Sequence, residues 1–480
     1  MLFNSLEYAV FFLPISVILF FIFKKLSITL SKIWLCISSI YFYSFFTAQF
    51  LPVLISSMIV NYALIRAINH DKTIKSVSLS IIFNVISLGY FKYCNFFIFN
   101  IEKAFDMHLA NIEVIAPLAI SFYTFQQISL SVSIYRKNIS DIPFIDYCCY
   151  ILFFPKLISG PITNYEIITS QLNSRSLYLG KYFAPAVFIF SIGVFKKVVL
   201  ASYFGVIADQ GYANVSSLSI IDSWVTSLSY SMQLYFDFSG YTDMAIGSAM
   251  LFGVILPVNF NSPYLASDLQ DFWRRWHITL STWLRNFVYI PLGGNRKGSL
   301  RTYVNLFLTF LIGGFWHGAG WNFLVWGALH GAGLVIHRLW SQMGLKMPSI
   351  IGWFVTFNFV NVTWIFFRTD NIPDAALILK KMFLFSGNIQ GSLLFNQPFA
   401  DAFFYAKSLS GPYMLVACLA AIAICLNPFN SNLIISMTKN DKAGVKWNIV
   451  TPALCAFGLC LSVYVSLGGA APGSFIYFNF

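Results

Sequence analysis

A histidine surrounded by glycines and tryptophans is the strongest chemical signal in this sequence of 480 residues. His317 lies in the segment Phe310–Gly331, FLIGGFWHGAGWNFLVWGALHG, between two apolar runs. The neighbouring glycines let backbones approach closely and let a helix end beside the imidazole. A low-dielectric environment disfavours the charged imidazolium, so this side chain is suited to accept a proton as a general base. The alternative is a histidine that packs between helices and bonds a carbonyl group.

A second group lies in the segment Ser267–Phe287, SDLQDFWRRWHITLSTWLRNF. Ser267 and Gln270 are spaced as a capping box, and apolar side chains follow at helical spacing, which predicts one amphipathic helix. The helix contains three arginines, Arg274, Arg275 and Arg285. It is therefore too charged to cross lipid, and we expect it at the cytoplasmic interface. There it would bind either the phosphates of a nucleotide-bearing donor or anionic lipid headgroups.

Three further histidines lie near these segments. His277 is at the border of the apolar face of the predicted helix, where a histidine is either structural or chemical. His330 and His337 are seven residues apart on one helix face. Because neither an HExxH spacing nor a neighbouring carboxylate or cysteine accompanies them, we predict no metal site.

Two aspartates interrupt otherwise apolar sequence. Asp237 and Asp243 flank Gly240, which predicts a helix break that lines the same cavity. We expect a structural role, in which these aspartates pair with Arg274 or Arg275; the alternative is a chemical role.

Composition indicates that most of the chain lies in lipid. Hydrophobic residues make up 58% of the sequence and charged residues 10%, which leaves too little polar surface for a soluble fold. Apolar runs long enough to cross roughly 30 Å of hydrocarbon recur along the chain. They cover about 8–23, 33–48, 50–67, 77–99, 114–135, 183–207, 219–236, 241–258, 302–316, 321–339, 349–366, 411–427 and 449–468. We predict an all-α, polytopic membrane protein with roughly eleven transmembrane helices, plus re-entrant or interfacial helices around a central tunnel.

The middle of the chain differs from both ends. Between about 150 and 340, polar residues, Pro and Gly interrupt the apolar runs, which lipid tolerates only beside a protein-lined or water-filled cavity. No fixed-period repeat is visible, so we interpret residues 1–480 as one membrane domain whose catalytic core is at about 150–340. A polar stretch at about 386–410 is the expected excursion from the bilayer.

Basic residues predict the orientation, because short basic loops stay in the cytoplasm. Every second loop is basic, and these loops contain Lys24, Lys25, Lys32, Arg66, Lys72, Lys75, Arg136, Lys137, Arg296, Lys297, Arg301, Lys439, Lys442 and Lys446. Both termini are therefore predicted outside. The first span has no basic n-region and no cleavage pattern, so we expect it to be retained.

Charge and cysteine usage exclude other classes. We interpret the net charge of +12 as the basic loops that set the membrane topology and as an attraction to anionic lipid. No basic stripe with interleaved aromatic residues is present in the sequence, so nucleic-acid binding is not predicted. The eight cysteines include no CxxC pair, so neither a disulfide framework nor a zinc knot is predicted.

Four ordered strings resemble the membrane-bound O-acyltransferase family, in the branch of alginate O-acetylation, peptidoglycan O-acetylation and teichoic-acid D-alanylation proteins. They are Phe153–Ile162 (FFPKLISGPI), Tyr235–Asp243 (YFDFSGYTD), Phe272–Ser281 (FWRRWHITLS) and Trp316–Gly318 (WHG). Both ends of the chain resemble the family as well, and the resemblance is weakest across about 340–470.

The resemblance implies roles for particular residues. The histidine of the family's Trp-His-Gly string is catalytic, which implies that His317 is the general base, and the second polar residue of the family's site corresponds to His277. The substrate tunnel would be lined by Trp273, Arg274, Arg275, Trp276, Trp316, Trp321, Asn322 and Asp237. The resemblance implies no bound cofactor; the expected donor is an acyl thioester, acetyl-CoA in the first place, which would enter from the cytoplasm. His277 would orient the donor or stabilise negative charge.

The resemblance also implies partners and a location. The acceptor arrives from outside, either as a polysaccharide hydroxyl or as a serine of an esterase-like periplasmic partner protein, and the location is a bacterial inner membrane. Transfer of D-alanyl or another acyl group stays open within the family. A transporter or flippase of lipid-linked sugars is the alternative outside it, because broken helices and buried charges would serve that function too.

Overall fold

Helices account for every regular element that the structure, a computed structural model, describes. The described residues are 1–108, 114–137, 142–175, 179–383 and 421, and within them no strand occurs. The helices, numbered α1 to α18, are Leu13–Leu26, Ile28–Thr47, Leu51–Asp71, Ile74–Leu88, Cys94–Phe105, Ile120–Lys137, Phe144–Leu152, Phe154–Leu157, Tyr165–Leu172, Leu179–Phe195, Ser202–Ala213, Ile220–Leu251, Leu269–Arg275, Ile278–Leu284, Ser299–His317, Trp321–Gln342, Ser349–Arg368 and Ile372–Phe383. The predicted all-α class is confirmed.

Six stretches in the described ranges are long and apolar enough to cross a membrane. They are Glu7–Leu26, Ile28–Phe45, Ala48–Asp71, Ile74–Phe105, Tyr182–Ala213 and Ser349–Arg368. A multi-pass membrane protein is thereby confirmed, whereas the count of eleven is not. The separate spans predicted at 219–236 and 241–258 are wrong, because one helix, α12, runs through both. The spans at 411–427 and 449–468, the excursion at 386–410 and the last basic loop lie outside the described residues.

Two compact units divide the chain. The first, Met1–Phe190 with Met244–Pro257, joins its helices by buried amides. Asn84 donates to Asn61 Oδ1 at 2.6 Å, and Asn61 also donates to Gln127. Such bonds hold helices together in lipid, where no hydrophobic effect acts between them. Lys32, predicted in a loop, instead lies buried in α2, where it pairs with Asp146.

The second unit comprises Ser191–Asp243 and the chain from Val258 onward, and a tight hairpin of α15 and α16 lies within it. A Cβ atom at Gly314 would lie 2.3 Å from the Phe323 carbonyl oxygen and 2.9 Å from Gly327 Cα. Since real Cβ atoms do not approach so closely, glycine is what lets these two helices touch.

Two buried ion pairs join a π-helical turn, Lys196–Ala201, to α12 in the same unit. Lys196 Nζ lies 2.7 Å from Asp243 Oδ2, and Lys197 pairs with Asp237. The structural role foreseen for the aspartates therefore holds, but the partners are lysines, and the predicted pairing with Arg274 or Arg275 is wrong.

The predicted helix break at Gly240 is also wrong. Gly240 lies inside continuous α12, and a Cβ atom there would be 2.8 Å from the Gly193 carbonyl oxygen and 3.1 Å from Lys196 Cβ. The missing side chain lets the π-helical turn approach α12, which brings both lysines to their carboxylates.

Candidate active site

His317 is the last residue of α15 and is 4% exposed. Its imidazole contacts three aromatic rings, with centroids 4.9 Å from Trp316, 5.0 Å from Trp326 and 5.2 Å from Phe367. The helix ends here as the glycines predicted, because extended Gly318 follows and a Cβ atom at that residue would collide with the Phe323 ring at 2.1 Å. The imidazole is thus fixed in an apolar setting at a helix end.

The predicted single helix over Ser267–Phe287 is broken at His277. Helix α13 ends at Arg275, α14 begins at Ile278, and His277 between them has φ 41° and ψ 52°. A left-handed conformation is uncommon for a residue with a side chain and indicates a local constraint. The helix start differs too, because the Asp268 side chain, not that of Ser267, caps α13 by accepting from the Asp271 amide at 2.7 Å.

A hydrogen-bonded asparagine holds the His277 ring. Asn259 Oδ1 accepts a hydrogen bond from the Thr279 amide at 3.2 Å, which establishes that the oxygen, and not the nitrogen, of the Asn259 side chain is on this side. The same oxygen lies 3.1 Å from His277 Nδ1. His277 Nδ1 must therefore carry the proton, and in the neutral ring Nε2 has the lone pair. Asn259 was missed by sequence analysis, since nothing in its apolar surroundings marks it.

Burial keeps this imidazole neutral. His277 is 1% exposed and lies outside the six candidate spans. Burial lowers its pKa from 6.5 to about 3, because the charged ring would lose its hydration. At neutral pH His277 is thus uncharged, and its Nε2 atom can accept a hydrogen bond.

His330 is a structural histidine in a closed hydrogen-bond chain. The Trp273 indole N–H donates to His330 Nδ1 at 3.2 Å, and His330 Nε2 lies 3.0 Å from Thr363 Oγ1, which donates to the Val360 carbonyl at 2.7 Å. In the described part of the chain, no group of three metal-ligating side chains occurs. These contacts give both nitrogens of His330 a partner without a metal.

An aromatic wall, made of Trp276, Trp326, Trp364 and Phe367, links the two candidate catalytic histidines. Ring centroids are 5.0 Å apart for Trp276 and Trp364, 5.8 Å for Trp364 and Trp326, and 5.5 Å for Trp326 and Phe367. The wall begins beside His277 and ends against His317. Of its members only Trp276 was predicted; Trp326 was part of the quoted histidine segment, but Trp364 and Phe367 lie in sequence without a recognisable string.

A basic cleft of about 1180 Å³ opens beside the wall. Its described lining includes no acidic residue and contains Arg274, Arg285, Arg296, Lys297, His337 and Arg338. Trp273 lines the cleft and also lies 5.8 Å from Trp326, between ring centroids. Phe310, another lining residue, precedes His317 by about 10 Å along α15. The cleft therefore brings positive charge close to the wall.

The other predicted site residues have varied settings. Arg275 pairs with Asp271 at 2.8 Å and does not line the cleft, whereas Arg274 does. Trp316 is buried, while Trp321 is 56% exposed at the start of α16. Asn322 is buried and donates to the Thr369 carbonyl, and Asp237 is in its ion pair with Lys197. Their roles as tunnel residues stay predictions.

Comparison with known proteins identifies the class. A profile of the membrane-bound O-acyltransferase family, MBOAT, matches residues 35–370. The peptidoglycan O-acetyltransferase of Helicobacter pylori is 38% identical to this chain, and the match covers 100% of this chain and 98% of the relative. A probable alginate O-acetylase of Pseudomonas syringae pv. tomato is 37% identical over 80% of this chain and 76% of its own, and a teichoic acid D-alanyltransferase of Streptococcus thermophilus is 29% identical over 52% and 68%.

This chain therefore belongs to the membrane-bound O-acyltransferase family, and it is an O-acyltransferase. The resemblance inferred from the four strings is confirmed. The transporter alternative loses its support, since the family is one of enzymes.

Proposed function

We propose that this enzyme is an O-acetyltransferase that passes an acetyl group from a cytoplasmic thioester across the membrane to a cell-envelope polysaccharide. The peptidoglycan O-acetyltransferase of Helicobacter pylori, which is 38% identical to this chain from end to end, favours peptidoglycan as the acceptor. The observation that carries the mechanism is His317, a buried imidazole at a helix end that an aromatic wall joins to His277.

The mechanism begins at His317. Its imidazole takes the proton from an acceptor hydroxyl, whose oxygen attacks the thioester carbonyl carbon. As the tetrahedral intermediate collapses, the carbon–sulfur bond breaks and the thiolate regains the proton from His317. Of the two roles left open for His277, orientation of the donor is favoured, because its Nε2 lone pair accepts hydrogen bonds and cannot donate one.

The basic cleft supplies a site for the donor. Acetyl-CoA has phosphate groups, and a cleft with arginines and lysine but no acidic lining residue attracts them. Trp273, at its edge, leads to the aromatic wall, so a thioester at the end of a long pantetheine arm would reach His317 along this side.

Orientation and partners follow from the same scheme. The basic loop at Arg296 and Lys297 is cytoplasmic, and both termini face outward across a bacterial inner membrane. A serine on an esterase-like partner protein outside the membrane is one acceptor, and the polysaccharide hydroxyl itself is the other.

The direct test is acetyl transfer by the purified full-length protein in proteoliposomes. Labelled acetyl-CoA is supplied with muropeptides, alginate oligomers or the candidate partner protein as acceptor. We expect transfer to fall by about 100-fold or more in His317→Ala, because proton abstraction is lost, while His70→Ala, at an exposed histidine, keeps the wild-type rate. Full transfer by His317→Ala would overturn the mechanism.

Donor identity needs a separate measurement. Arg296→Gln with Lys297→Gln should raise KM for acetyl-CoA by about fivefold and leave kcat unchanged, since two charges that bind phosphate are removed. Lys380→Gln removes a charge from an exposed residue that does not line the cleft, and it should have no effect. If D-alanyl thioester on a carrier protein is consumed and acetyl-CoA is not, the acetyl assignment is wrong.

A further inference from the structure

We infer that the indole N–H groups of Trp326 and Trp364 bind the carbonyl oxygen of the acyl group and stabilise the oxyanion that forms on it. Both side chains are 1% exposed, and neither Nε1 atom has a hydrogen-bond partner among the residues that the structure describes. The inference rests on the proposed acyl transfer, which needs a donor of this kind near the general base.

The two indoles stand beside His317 as a pair. The imidazole and the Trp326 ring are 5.0 Å apart at an interplanar angle of 87°, while Trp326 and Trp364 are 5.8 Å apart and nearly parallel at 18°. Phe367 contacts all three rings, at 5.2 Å from His317, 5.5 Å from Trp326 and 5.4 Å from Trp364. In the inferred complex the acyl carbonyl group lies at the edge of these rings, next to both the base and the indoles.

Several other indoles in the described ranges do have acceptors. Trp34 donates to the Ser16 carbonyl at 3.0 Å, Trp224 to Met382 at 3.2 Å and Trp353 to Tyr264 at 2.8 Å. Burial of an N–H group without an acceptor destabilises a fold, so two such groups side by side are a considerable cost. A hydrogen-bond acceptor that the bound substrate supplies would explain why these two buried N–H groups have no partner within the protein.

His277 does not fill this role. Its Nδ1 donates to Asn259, which leaves a lone pair on Nε2, and a lone pair repels an oxyanion. Hydrogen-bond donors for the oxyanion must therefore come from another group, and the indole N–H has no acidic proton to lose at neutral pH and donates only.

The step balances with these groups. His317 takes the hydroxyl proton, the new carbon–oxygen bond forms, and the π electron pair of the carbonyl moves onto oxygen, where the indole N–H groups of Trp326 and Trp364 donate to it. When the pair returns, the carbon–sulfur bond breaks and His317 gives its proton to the leaving thiolate. In a site without water these two hydrogen bonds are stronger than in solution.

The test separates the N–H group from the ring. Replacing Trp326 by 3-benzothienylalanine exchanges the N–H for sulfur and keeps the bicyclic shape, so packing against His317 is preserved. We expect kcat to fall by about 100-fold or more with KM unchanged, as for loss of one oxyanion donor of two. Trp364→Phe should give a loss of the same kind, while Trp224→Phe, which loses a bond to Met382, should leave kcat unchanged.

The outcomes distinguish this inference from the proposed function. Wild-type kcat in the benzothienyl enzyme, with His317→Ala inactive, would overturn the indole site and leave the general base in place. Full activity of His317→Ala would overturn both. A rise in KM with unchanged kcat would assign Trp326 to ground-state binding, which also refutes oxyanion stabilisation.

Discussion

Replacement of Asn259 by alanine is the most informative perturbation of the site outside the two histidines. The carbonyl oxygen of this side chain accepts three bonds, from His277 Nδ1 at 3.1 Å, the Thr279 amide at 3.2 Å and the Thr279 hydroxyl at 2.9 Å. Asn259 is 1% exposed, so water cannot replace the missing oxygen. The variant therefore leaves buried donors without an acceptor.

The magnitude follows from those bonds. The Thr279 hydroxyl can rotate to another acceptor, which leaves two N–H groups without an acceptor at about 1–3 kcal/mol each, so the free energy of unfolding should fall by about 2–6 kcal/mol. The bond to His277 is worth about 1 kcal/mol to the tautomer with a lone pair on Nε2, and its loss shifts the tautomer ratio by about fivefold. We expect kcat/KM to fall by at least that factor.

Two measurements test whether Asn259 sets the tautomer of His277. Solid-state ¹⁵N spectra of histidine-labelled enzyme separate the two neutral tautomers, and the His277 signal should move from the Nδ1–H form toward a mixture. Asn84→Ala, which removes a buried amide of the first unit, serves as the control for destabilisation without an effect on His277. If Asn259→Ala keeps both the Nδ1–H signal and wild-type kcat/KM, Asn259 does not set the tautomer.

Three further predictions concern stability, and thermal unfolding in detergent checks each. Lys197→Met removes the cation that pairs with the buried Asp237 carboxylate and should cost about 3–5 kcal/mol, whereas Lys197→Met with Asp237→Leu should recover most of this loss; an equal loss in both variants would show that the ion pair is not the cause. Gly314→Val should prevent α15 from meeting α16 and abolish folded protein, while Gly89→Ala, where a Cβ atom meets nothing within 4 Å, should be neutral or slightly stabilising. The pKa of His277 falls from 6.5 to about 3 on folding, so only the unfolded ring gains a proton between pH 7 and 5. Acidification over this range should therefore lower the free energy of unfolding of the wild type by about 2 kcal/mol more than that of His277→Gln. Equal dependence on pH in the two proteins would contradict this.

The helical membrane class could be predicted from composition, but helix limits could not. Asp237, Gly240 and Asp243 looked like an interruption of α12, because charges in an apolar run usually mark a break or a cavity. Their partners, Lys196 and Lys197, are about 40 residues away along the chain, and the π-helical turn that aims both at one helix leaves no periodic signal. Ion pairs between residues so far apart along the chain can be recognised only once the fold is known.

The candidate site was predictable where the chemistry is local. His317 was recognisable because glycines and tryptophans surround it in sequence. The break at His277 was not, since residues 269–284 have unbroken helical spacing and the left-handed turn depends on Asn259. Trp364 and Phe367 belong to α17, which has large apolar residues along most of its length, so no sequence pattern distinguishes the residues near His317 from the others.

The aromatic wall has one more consequence, for hydrolysis. A thioester is open to attack by water as well as by an alcohol, and a base that activates a hydroxyl would activate water equally well. The rings of Trp316, Trp326 and Phe367 cover the imidazole of His317, which is 4% exposed, so few water molecules can stand where the nucleophile must be. The acyl group is then transferred only when an alcohol occupies the position of the nucleophile, and we expect the thioester to be hydrolysed slowly when no acceptor is present.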